Sequence, residues 1–146
     1  MLITKATNDE IKFIQSHSLV VMHEATVGMV KPSELLVQTM ASFLADGGYY
    51  LVFKKDFQIQ GWIGVGRTFD MYSNEIIGML TELYVFPRYR KQGIARKLFI
   101  DACQRLEQEG YSKVQLNVFA GNGAKLLYEE LGFYDVMTLM EKKFKD

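Results

Sequence analysis

The fold is decided by the stretch Val85-Phe-Pro-Arg-Tyr-Arg-Lys-Gln-Gly-Ile-Ala-Arg-Lys-Leu98, which begins as the end of an apolar strand and becomes an amphipathic helix. Gly93 lies where the loop becomes helix, and a helix start leaves its first backbone N–H groups without intrahelical partners. Those donors, the positive end of the helix dipole and the nearby cations together suit a phosphate or pyrophosphate. Five cations stand within ten positions that contain no acid: Arg88, Arg90, Lys91, Arg96 and Lys97. The stretch therefore predicts an anion site at the start of a helix.

The composition is that of one globular domain, which we expect to span residues 1–146. Of these residues 49% are apolar, and 10 Phe, 8 Tyr and 1 Trp argue for a packed core rather than disorder. The 17 basic and 17 acidic residues cancel, so neither nucleic acid nor an anionic membrane is an expected partner. The single cysteine, Cys103, excludes an intrachain disulfide and fits a reducing compartment. With no signal peptide and no apolar run near the ~20 residues of a membrane span, a cytoplasmic protein is expected.

The N-terminal third of the chain predicts one strand and two helices. A short apolar strand over residues 2–6 precedes Thr7-Asn-Asp-Glu10, which is typical of a capping box. Apolar positions at helical spacing continue to residue 22, and a second helix is predicted over residues 33–45. His17 and His23 are six residues apart, which is a poor spacing for two metal ligands on one helix, so no metal site is predicted.

Three strands are predicted next, over residues 49–53, 58–67 and 75–85, with a hairpin turn between the first two. The second strand contains Gly61-Trp-Ile-Gly-Val-Gly66, but a dinucleotide-binding loop needs a helix directly after its glycines. Residues 68–74 look like a loop instead. The glycines therefore indicate a bulge or a close backbone approach within a strand.

The rest of the chain predicts a helix over residues 92–109, a strand over 114–118, a short helix from about Ala124 and a final strand over 135–144. The predicted order is β-α-α-β-β-β-α-β-α-β. The strand–helix–strand unit around Gly93 should be a right-handed parallel crossover. The expected fold class is therefore α/β, an α+β mixed sheet flanked by helices on both faces.

Two motifs in this frame resemble the GNAT N-acetyltransferase superfamily. Arg90-Lys-Gln-Gly93-Ile-Ala95 matches the acyl-CoA loop of that family, Arg/Gln-x-x-Gly-x-Gly/Ala, and it follows a strand and a proline as that loop does. Leu127-Tyr-Glu-Glu-Leu-Gly-Phe133 resembles a later segment of the family. The two motifs occur in the family's order, about 35 residues apart, and are joined by a helix and a strand.

The resemblance implies acetyl-CoA as co-substrate and an amine as acceptor, with the amine nitrogen attacking the thioester directly. Two neighbouring strands would splay apart, so that the pantetheine arm pairs with Leu83 and Val85. The Val85 N–H would then stabilise the oxyanion, and losing such a donor typically costs ~10²–10³ in rate. The pyrophosphate would be bound by the backbone N–H groups of the loop: Arg90, Lys91, Gln92, Gly93, Ile94 and Ala95.

The resemblance also assigns roles to three polar positions. Tyr128 stands where the family carries a tyrosine that protonates the leaving thiolate, although it lies on the apolar face of its helix and a core role is the alternative. Glu82 is the candidate base, since an acceptor amine is mostly protonated at pH 7, and a structurally paired carboxylate is the alternative. Many members place an Asn seven residues before the tyrosine. Here that position is Gly121, and the candidates for this cofactor contact are Asn122 and Asn117.

The acceptor pocket is expected to come from the first two helices and the loop after the second central strand. The candidate lining residues are chemically mixed and do not choose among a polyamine, an amino acid, an antibiotic and a protein N-terminus, and no acidic cluster points to a polycation. The expected acceptor is a small-molecule or peptide amine. The prediction is an acetyl-CoA-dependent N-acetyltransferase. The alternatives are a non-catalytic acyl-CoA sensor and a nucleic-acid module using the basic stretch, which the zero net charge disfavours. Oligomeric state is left open, with a homodimer as one option. The expected lining is His23, Glu24, Met29, Trp62, Phe69, Met71 and Tyr72.

Overall fold

The computed structural model describes residues 2–28 and 34–145, and for residues 34–37 it describes the backbone alone. The described residues form five strands, β1 (Leu2–Lys5), β2 (Tyr49–Lys55), β3 (Gln58–Asp70), β4 (Glu75–Val85) and β5 (Val114–Gln115). They also form five α-helices, α1 (Asn8–Ser16), α2 (Ser18–Ala25), α3 (Glu34–Ala45), α4 (Ile94–Gln108) and α5 (Ala124–Glu130), and a 3₁₀ turn over Pro87–Tyr89. None of these described helices is long and apolar enough to cross a bilayer.

The start of the first helix follows from its capping residues. The Glu10 N–H donates to Thr7 Oγ1 at 3.2 Å, and the Thr7 N–H donates to Glu10 Oε1 at 2.9 Å, so the predicted capping box is confirmed. The apolar stripe that follows is divided between α1 and α2, because the helix breaks at His17. Ile14 and Val21, one on each helix, are both buried.

The sheet is mixed, with the strand order β1-β2-β3-β4-β5. The first three pairings are antiparallel and the pairing of β4 with β5 is parallel, as predicted for the crossover through α4. The β2–β3 hairpin turns through Asp56 and Phe57, whose φ angles of 52° and 64° are the left-handed values that a two-residue type I′ turn requires. The mixed α/β fold class is thereby confirmed.

The predicted loop over residues 68–74 is too long. Thr68 pairs with Ile77 and Phe69 with Ile76, so β3 continues to Asp70 and the turn is confined to residues 71–74. The buried Asp70 carboxylate closes this turn by accepting from the Tyr72 N–H at 3.1 Å and from Ser73 Oγ at 2.8 Å. Cross-strand pairing thus outweighs the polar composition that indicated a loop.

Alternate side chains of the central strands enter two cores, because successive residues of a strand point to opposite faces. On one face Leu51 and Ile63 pack against the apolar side of α4. On the other face Tyr50 and Trp62 pack against Ile14 of α1 and against α2 and α3. The helices therefore cover both faces of the sheet, as the sequence predicts.

The C-terminal part of the chain differs from its prediction. Only Val114 and Gln115 of the predicted strand 114–118 join the sheet, by pairing with Gly78 and Met79. Residues 135–144, predicted as a final strand, form no strand, and every side chain from Tyr134 to Lys145 is exposed. A strand exists only as part of a hydrogen-bonded ladder, and this segment pairs with none of the described strands.

Candidate active site

A β-bulge interrupts β4 and redirects its side chains. Trp62 pairs with Tyr84 and Gly64 with Thr81, so β4 has one more residue than β3 between these two pairs. Glu82 lies in this bulge with a φ of 47°. The facing glycine is required because a Cβ at Gly64 would overlap the Thr81 hydroxyl. Bulges re-aim side chains near functional sites, and here the re-aimed side chain is that of Glu82.

Beyond the bulge, β4 and the chain after β5 separate and leave a cleft. Their pairing stops after Met79 and Gln115, so the next residues of the two strands are not joined by ladder hydrogen bonds. The Phe86 N–H donates to the Gln60 carbonyl at 3.0 Å, towards β3. Because successive N–H groups of a strand alternate in direction, the Val85 N–H is directed to the cleft. A small cavity of about 40 Å³ in this cleft is lined by Thr81, Glu82, Leu83, Leu116, Asn117 and Tyr128, among others.

The Glu82 carboxylate has the properties of a base at neutral pH. Burial raises the pKa of Glu82 to about 7, and a hydrogen bond of 3.0 Å from Trp62 Nε1 to Glu82 Oε2 opposes this rise. Trp62 is itself fully buried, so this donor is held rigidly. A carboxyl group whose pKa lies near 7 is present in both protonation states at physiological pH, which suits proton transfer.

The Tyr128 side chain belongs both to the core and to the cleft. Its ring stacks on Phe99, with 5.1 Å between the ring centroids and 24° between the ring planes. Burial raises the pKa of Tyr128 above its ordinary value, so the phenol keeps its proton at neutral pH. Packing fixes the ring while the side chain still lines the cavity. The two roles that the sequence suggests for Tyr128, a core residue and a proton donor in the cleft, are therefore compatible.

The start of α4 offers unpaired backbone donors. Gly93 is the N-cap with a φ of 82°, and Lys91 two residues earlier also has a positive φ, of 64°. Gly93 has no side chain with which to cap the helix, and a Cβ there would meet nothing within 4 Å. The first-turn N–H groups that follow have no acceptor inside the helix, so the site can receive an anion.

The Arg90 side chain points away from this loop. Its Nε donates to the Val85 carbonyl at 2.8 Å, and its Nη2 lies 2.6 Å from Glu24 Oε1 on α2. Arg96 likewise pairs with Glu130 of α5. These guanidinium groups tie the ends of β4 and α4 to neighbouring helices. The guanidinium groups of Arg90 and Arg96 are therefore already paired with carboxylates.

A family model described as the acetyltransferase (GNAT) family matches residues 19–133 of the chain. The chain belongs to the GNAT acetyltransferase family. A search of functionally curated proteins found no significant match.

Several solved structures share this GNAT fold over nearly the whole chain. A Pyrococcus furiosus protein provisionally named an acetyl transferase has 21% identity and a TM-score of 0.84, covering 98% of this chain and 99% of its own. The aminoglycoside antibiotic 6'-N-acetyltransferase of Acinetobacter haemolyticus has 20% identity and a TM-score of 0.71, covering 100% and 99%. A predicted acetyltransferase from Clostridium acetobutylicum, solved with acetyl-CoA, has 18% identity and a TM-score of 0.74, covering 97% and 95%. At these identities the likeness is one of fold.

The two candidate asparagines of this GNAT domain have different surroundings. Asn122 Nδ2 donates to the Ala25 carbonyl at 3.0 Å, and its Oδ1 accepts from the Ala124 N–H at 3.0 Å. The amide of Asn122 is therefore used to hold the start of α5 against the end of α2. Asn117 lines the cleft next to Tyr128. The geometry thus favours Asn117 as the asparagine that can reach a ligand there.

The predicted acceptor residues do not all lie together. Phe69, Met71 and Tyr72 are exposed at the β3–β4 turn, and six steps along β3 separate Asp70 from Gly64, which pairs with Thr81 of the cleft. At about 3.3 Å per step this is ~20 Å, so the turn does not line the cleft. Met29 lies outside the described residues. His23 is on α2, where its ring lies close to Gly28.

An aromatic cluster that was not predicted lies on the face of the sheet that α1, α2 and α3 cover. The His17 ring lies 6.0 Å from the Trp62 ring and 5.2 Å from the Phe86 ring, and Phe13 packs against all three. From the sequence, His17 was considered only as a possible metal ligand, and no metal site was predicted. Among the described residues no three His, Cys, Asp or Glu side chains are placed to hold a metal ion. Nothing in the spacing of these residues could have indicated the cluster.

A larger cavity, of about 420 Å³, lies at the other end of α4 and is separate from the cleft. It is lined in part by Tyr49, Arg67 and Glu109. The Tyr49 hydroxyl donates to Glu109 at 2.8 Å, and Arg67 pairs with Asp46 at 3.3 Å. These four polar side chains of the cavity are therefore engaged with one another.

Proposed function

We propose that this GNAT protein is an N-acetyltransferase that moves an acetyl group from acetyl-CoA to a primary amine by direct attack. The proposal rests on one observation, which is that β4, the cleft beside it and the uncapped start of α4 follow one another along the chain. One continuous stretch of chain supplies a buried carboxylate, a strand edge beyond the end of its ladder with β5, and an uncapped helix terminus. Acetyl-CoA is a thioester at one end and a pyrophosphate in the middle, and it needs a site of this kind.

The residues of this junction fit the cofactor. Backbone N–H groups of the loop from Arg90 to Ala95 would hold the pyrophosphate, since Gly93 leaves the helix start open and uncapped. The cleft edge of β4 at Leu83 and Val85 would pair with the amide groups of the pantetheine arm. Acetyl-CoA supplies an activated acyl group, and the protein supplies orientation and proton transfer.

Two side chains would move the protons. A lysine-like amine has a pKa near 10 and must lose a proton before it can attack. Glu82, with a pKa of about 7, can accept that proton directly or through water. Tyr128 holds its proton at neutral pH because burial raises its pKa, and it can donate that proton to the departing thiolate. The Val85 N–H is the proposed oxyanion donor.

The acceptor would approach between α1, α2 and the end of β4. Phe13, His17 and Phe86 would form an aromatic wall there over the buried Trp62 ring, and Arg90 pairs with Glu24 of α2 nearby. An apolar wall with one ion pair suits a small-molecule or peptide amine better than a polycation. A cytoplasmic location fits the single cysteine and completes the proposal.

The proposal is tested by ligand-induced stabilisation and by turnover. Millimolar acetyl-CoA should raise the melting temperature, because a ligand that binds only the folded state stabilises it. Free-thiol release from acetyl-CoA, measured across a panel of amines, should identify accepted substrates. Tyr128→Phe should lower turnover ~10²-fold while the acetyl-CoA stabilisation persists. Tyr111→Phe, at the opposite end of α4, is the matched control and should leave turnover unchanged.

The outcomes separate the candidate functions. Stabilisation by acetyl-CoA without thiol release for any amine would favour the non-catalytic acyl-CoA sensor. If millimolar acetyl-CoA does not raise the melting temperature, both the enzyme function and the sensor function are excluded. If Tyr128→Phe keeps the turnover of the wild type, Tyr128 has a purely structural role.

A further inference from the structure

The Glu82 carboxylate and the Tyr128 phenol lie on opposite faces of the sheet. Tyr128 packs against the core beneath α4. Glu82 Oε2 accepts from Trp62 Nε1 at 3.0 Å, and Trp62 belongs to the core beneath α1, α2 and α3. Tyr50 is in that second core, where burial raises its pKa and the Glu82 charge raises it further. The carboxylate is therefore reached from the face that α1, α2 and α3 cover.

This placement gives the acceptor a direction of approach, an inference that rests on the proposed function. The uncapped start of α4 and Tyr128 receive the cofactor and its leaving thiolate on the α4 face. The amine that gives a proton to Glu82 then enters from the opposite face. Among the described residues Trp62 alone donates to this carboxylate, and it uses Oε2, so Oε1 is left for the amine.

The surface that the amine meets on this face is the aromatic cluster of Phe13, His17, Trp62 and Phe86. Trp62 is fully buried, His17 and Phe86 are half-buried, and Phe13 is 39% exposed. The Phe86 ring meets the Trp62 ring at 5.5 Å and the His17 ring at 5.2 Å, with 79° between the planes in both pairs. Rings that meet edge to face are not stacked, so the cluster keeps ring surface on which a further aromatic ring can pack.

The cluster is held in place before anything binds. His17 Nδ1 lies 2.9 Å from the Phe13 carbonyl, and because a carbonyl only accepts, we assign the proton to Nδ1. This bond fixes the imidazole ring at the break between α1 and α2. Trp62 is fixed in turn by its bond to Glu82. A preformed surface needs little ordering when a ligand binds, which favours affinity.

The charges on the Phe86 side of the cluster are positive or already paired. The Arg88 guanidinium carbon lies 6.0 Å from the centre of the Phe86 ring, and no carboxylate of the described residues pairs with it. Arg90 is paired with Glu24 at 2.6 Å. A second ammonium group on the acceptor would be repelled by Arg88 there. An acceptor with one amine and an uncharged ring therefore suits this surface.

We propose that the acceptor is an aralkylamine, a primary amine joined to an aromatic ring by a short aliphatic linker. Its ring packs on Phe13, His17 and Phe86, and its nitrogen reaches Glu82 Oε1. Trp62 connects the two ends of the site, since it lies under the other rings and also donates to the carboxylate.

The protons of this reaction balance with the two groups already described. The amine nitrogen forms its bond to the acetyl carbon as the C–S bond of the thioester breaks. Of the three protons on the ammonium group, one stays on the amide and one leaves through Glu82 to solvent. The third replaces the proton that Tyr128 gives to the thiolate.

The first test compares amines that differ in aromaticity, by thiol release from acetyl-CoA with the full chain. Phenethylamine should have a kcat/KM about 2- to 12-fold above that of cyclohexylethylamine, which is the factor that an aromatic pair contributes beyond simple burial. Hexylamine and spermidine, which contain no ring, should be poorer substrates than phenethylamine.

Phe13→Leu keeps an apolar side chain at a partly exposed position and removes the ring. It should lower kcat/KM for phenethylamine by about 2- to 12-fold and leave that for cyclohexylethylamine nearly unchanged, so the preference for the aromatic amine is lost. Phe57→Leu, on a fully exposed ring of the β2–β3 turn, is the matched control and should keep the wild-type preference. Stabilisation by acetyl-CoA should persist in both variants, which shows that both are folded.

The second test measures binding without turnover. Trp62 is the single tryptophan of the chain, so tryptophan emission reports on the cluster. Phenethylamine added together with CoA, which carries no acetyl group, should change this emission saturably and at a lower concentration than cyclohexylethylamine does. Phe13→Leu should weaken the response to phenethylamine, and Phe57→Leu should not.

These results separate the acceptor class from the proposed function. If hexylamine or spermidine is a better substrate than phenethylamine, or if phenethylamine and cyclohexylethylamine bind equally, the aralkylamine assignment is overturned while the acetyltransferase stands. A preference for phenethylamine that Phe13→Leu leaves intact would also overturn it. If acetyl-CoA neither stabilises the chain nor releases thiol with any amine, the proposed function fails and the acceptor assignment fails with it.

Discussion

Replacing Trp62 by phenylalanine should raise the pKa of Glu82 above its wild-type value of about 7. Burial favours the neutral form of Glu82, and the bond of 3.0 Å from Trp62 Nε1 is the hydrogen bond that opposes it. The substitution removes this donor and keeps a buried aromatic ring of similar shape. The carboxylate then loses stabilisation in its charged form while the neutral acid is little affected.

The size of the effect follows from the strength of one hydrogen bond to a charged group. Such a bond is worth about 1.5–3 kcal/mol, and 1.36 kcal/mol corresponds to one pKa unit, so the shift should be about 1–2 units. At pH 7 about half of Glu82 is ionised in the wild type. In Trp62→Phe the ionised fraction falls to roughly 1–10%, and a reaction that needs the carboxylate slows by about 5- to 50-fold. The loss should be recovered at high pH, because the base is still present.

The shift is measured directly by ¹³C NMR of the glutamate carboxyl carbons between pH 4 and pH 10. Glu82→Gln identifies the resonance, and the pH dependence of thiol release provides the functional comparison. Phe86→Leu is the matched control, since the Phe86 ring packs 5.5 Å from the Trp62 ring without touching the hydrogen bond. A Glu82 titration midpoint in Trp62→Phe equal to that of the wild type would refute the reasoning. Thiol release that keeps its pH profile in Glu82→Gln would refute the assignment of the base.

Two further predictions concern the bulge and the β3–β4 turn. Gly64→Ala should destabilise the protein by about 1–3 kcal/mol in urea unfolding, because the new Cβ overlaps the Thr81 hydroxyl, and Thr81→Ala in the same chain should restore part of the loss. A Gly64→Ala protein as stable as the wild type would show that the bulge is not tightly packed. The ion pair with Lys113 and the hydrogen bond from Ser73 lower the pKa of Asp70 to about 2, so Asp70 stabilises the fold above about pH 4, and this contribution disappears as the pH falls towards 2. Asp70→Asn should lack that pH-dependent loss in acid unfolding curves, and a curve that follows the wild type would exclude Asp70 as its source.

Local signals in the sequence predicted the elements that carry the site. The capping box at Thr7 and the glycine at position 93 mark helix starts by short-range hydrogen bonding and backbone freedom, which need no knowledge of distant residues. The span of β4 was predicted to the residue, since its apolar run is bounded by turn residues on both sides. The anion-binding loop was therefore recognisable from one stretch of chain.

Contacts between distant residues could not be predicted in this way. The bond from Trp62 to Glu82 joins residues twenty positions apart, and it forms because the bulge turns Glu82 towards β3. The choice between Asn117 and Asn122 depends on a carbonyl of α2 that is almost a hundred residues away. The distance of Phe69 from the cleft depends on how far β3 continues before it turns.

The sequence by itself determined the family, the order of most elements and the position of the anion-binding turn, because these follow from periodicity, capping and short motifs. Tertiary structure alone decided the raised pKa of Glu82, the separation of β4 from the chain beyond β5, and the absence of a strand over residues 135–144. Those features depend on burial and on ladder partners. The final segment has the pattern of a strand, yet a pattern becomes a strand only where its backbone pairs with a neighbouring strand.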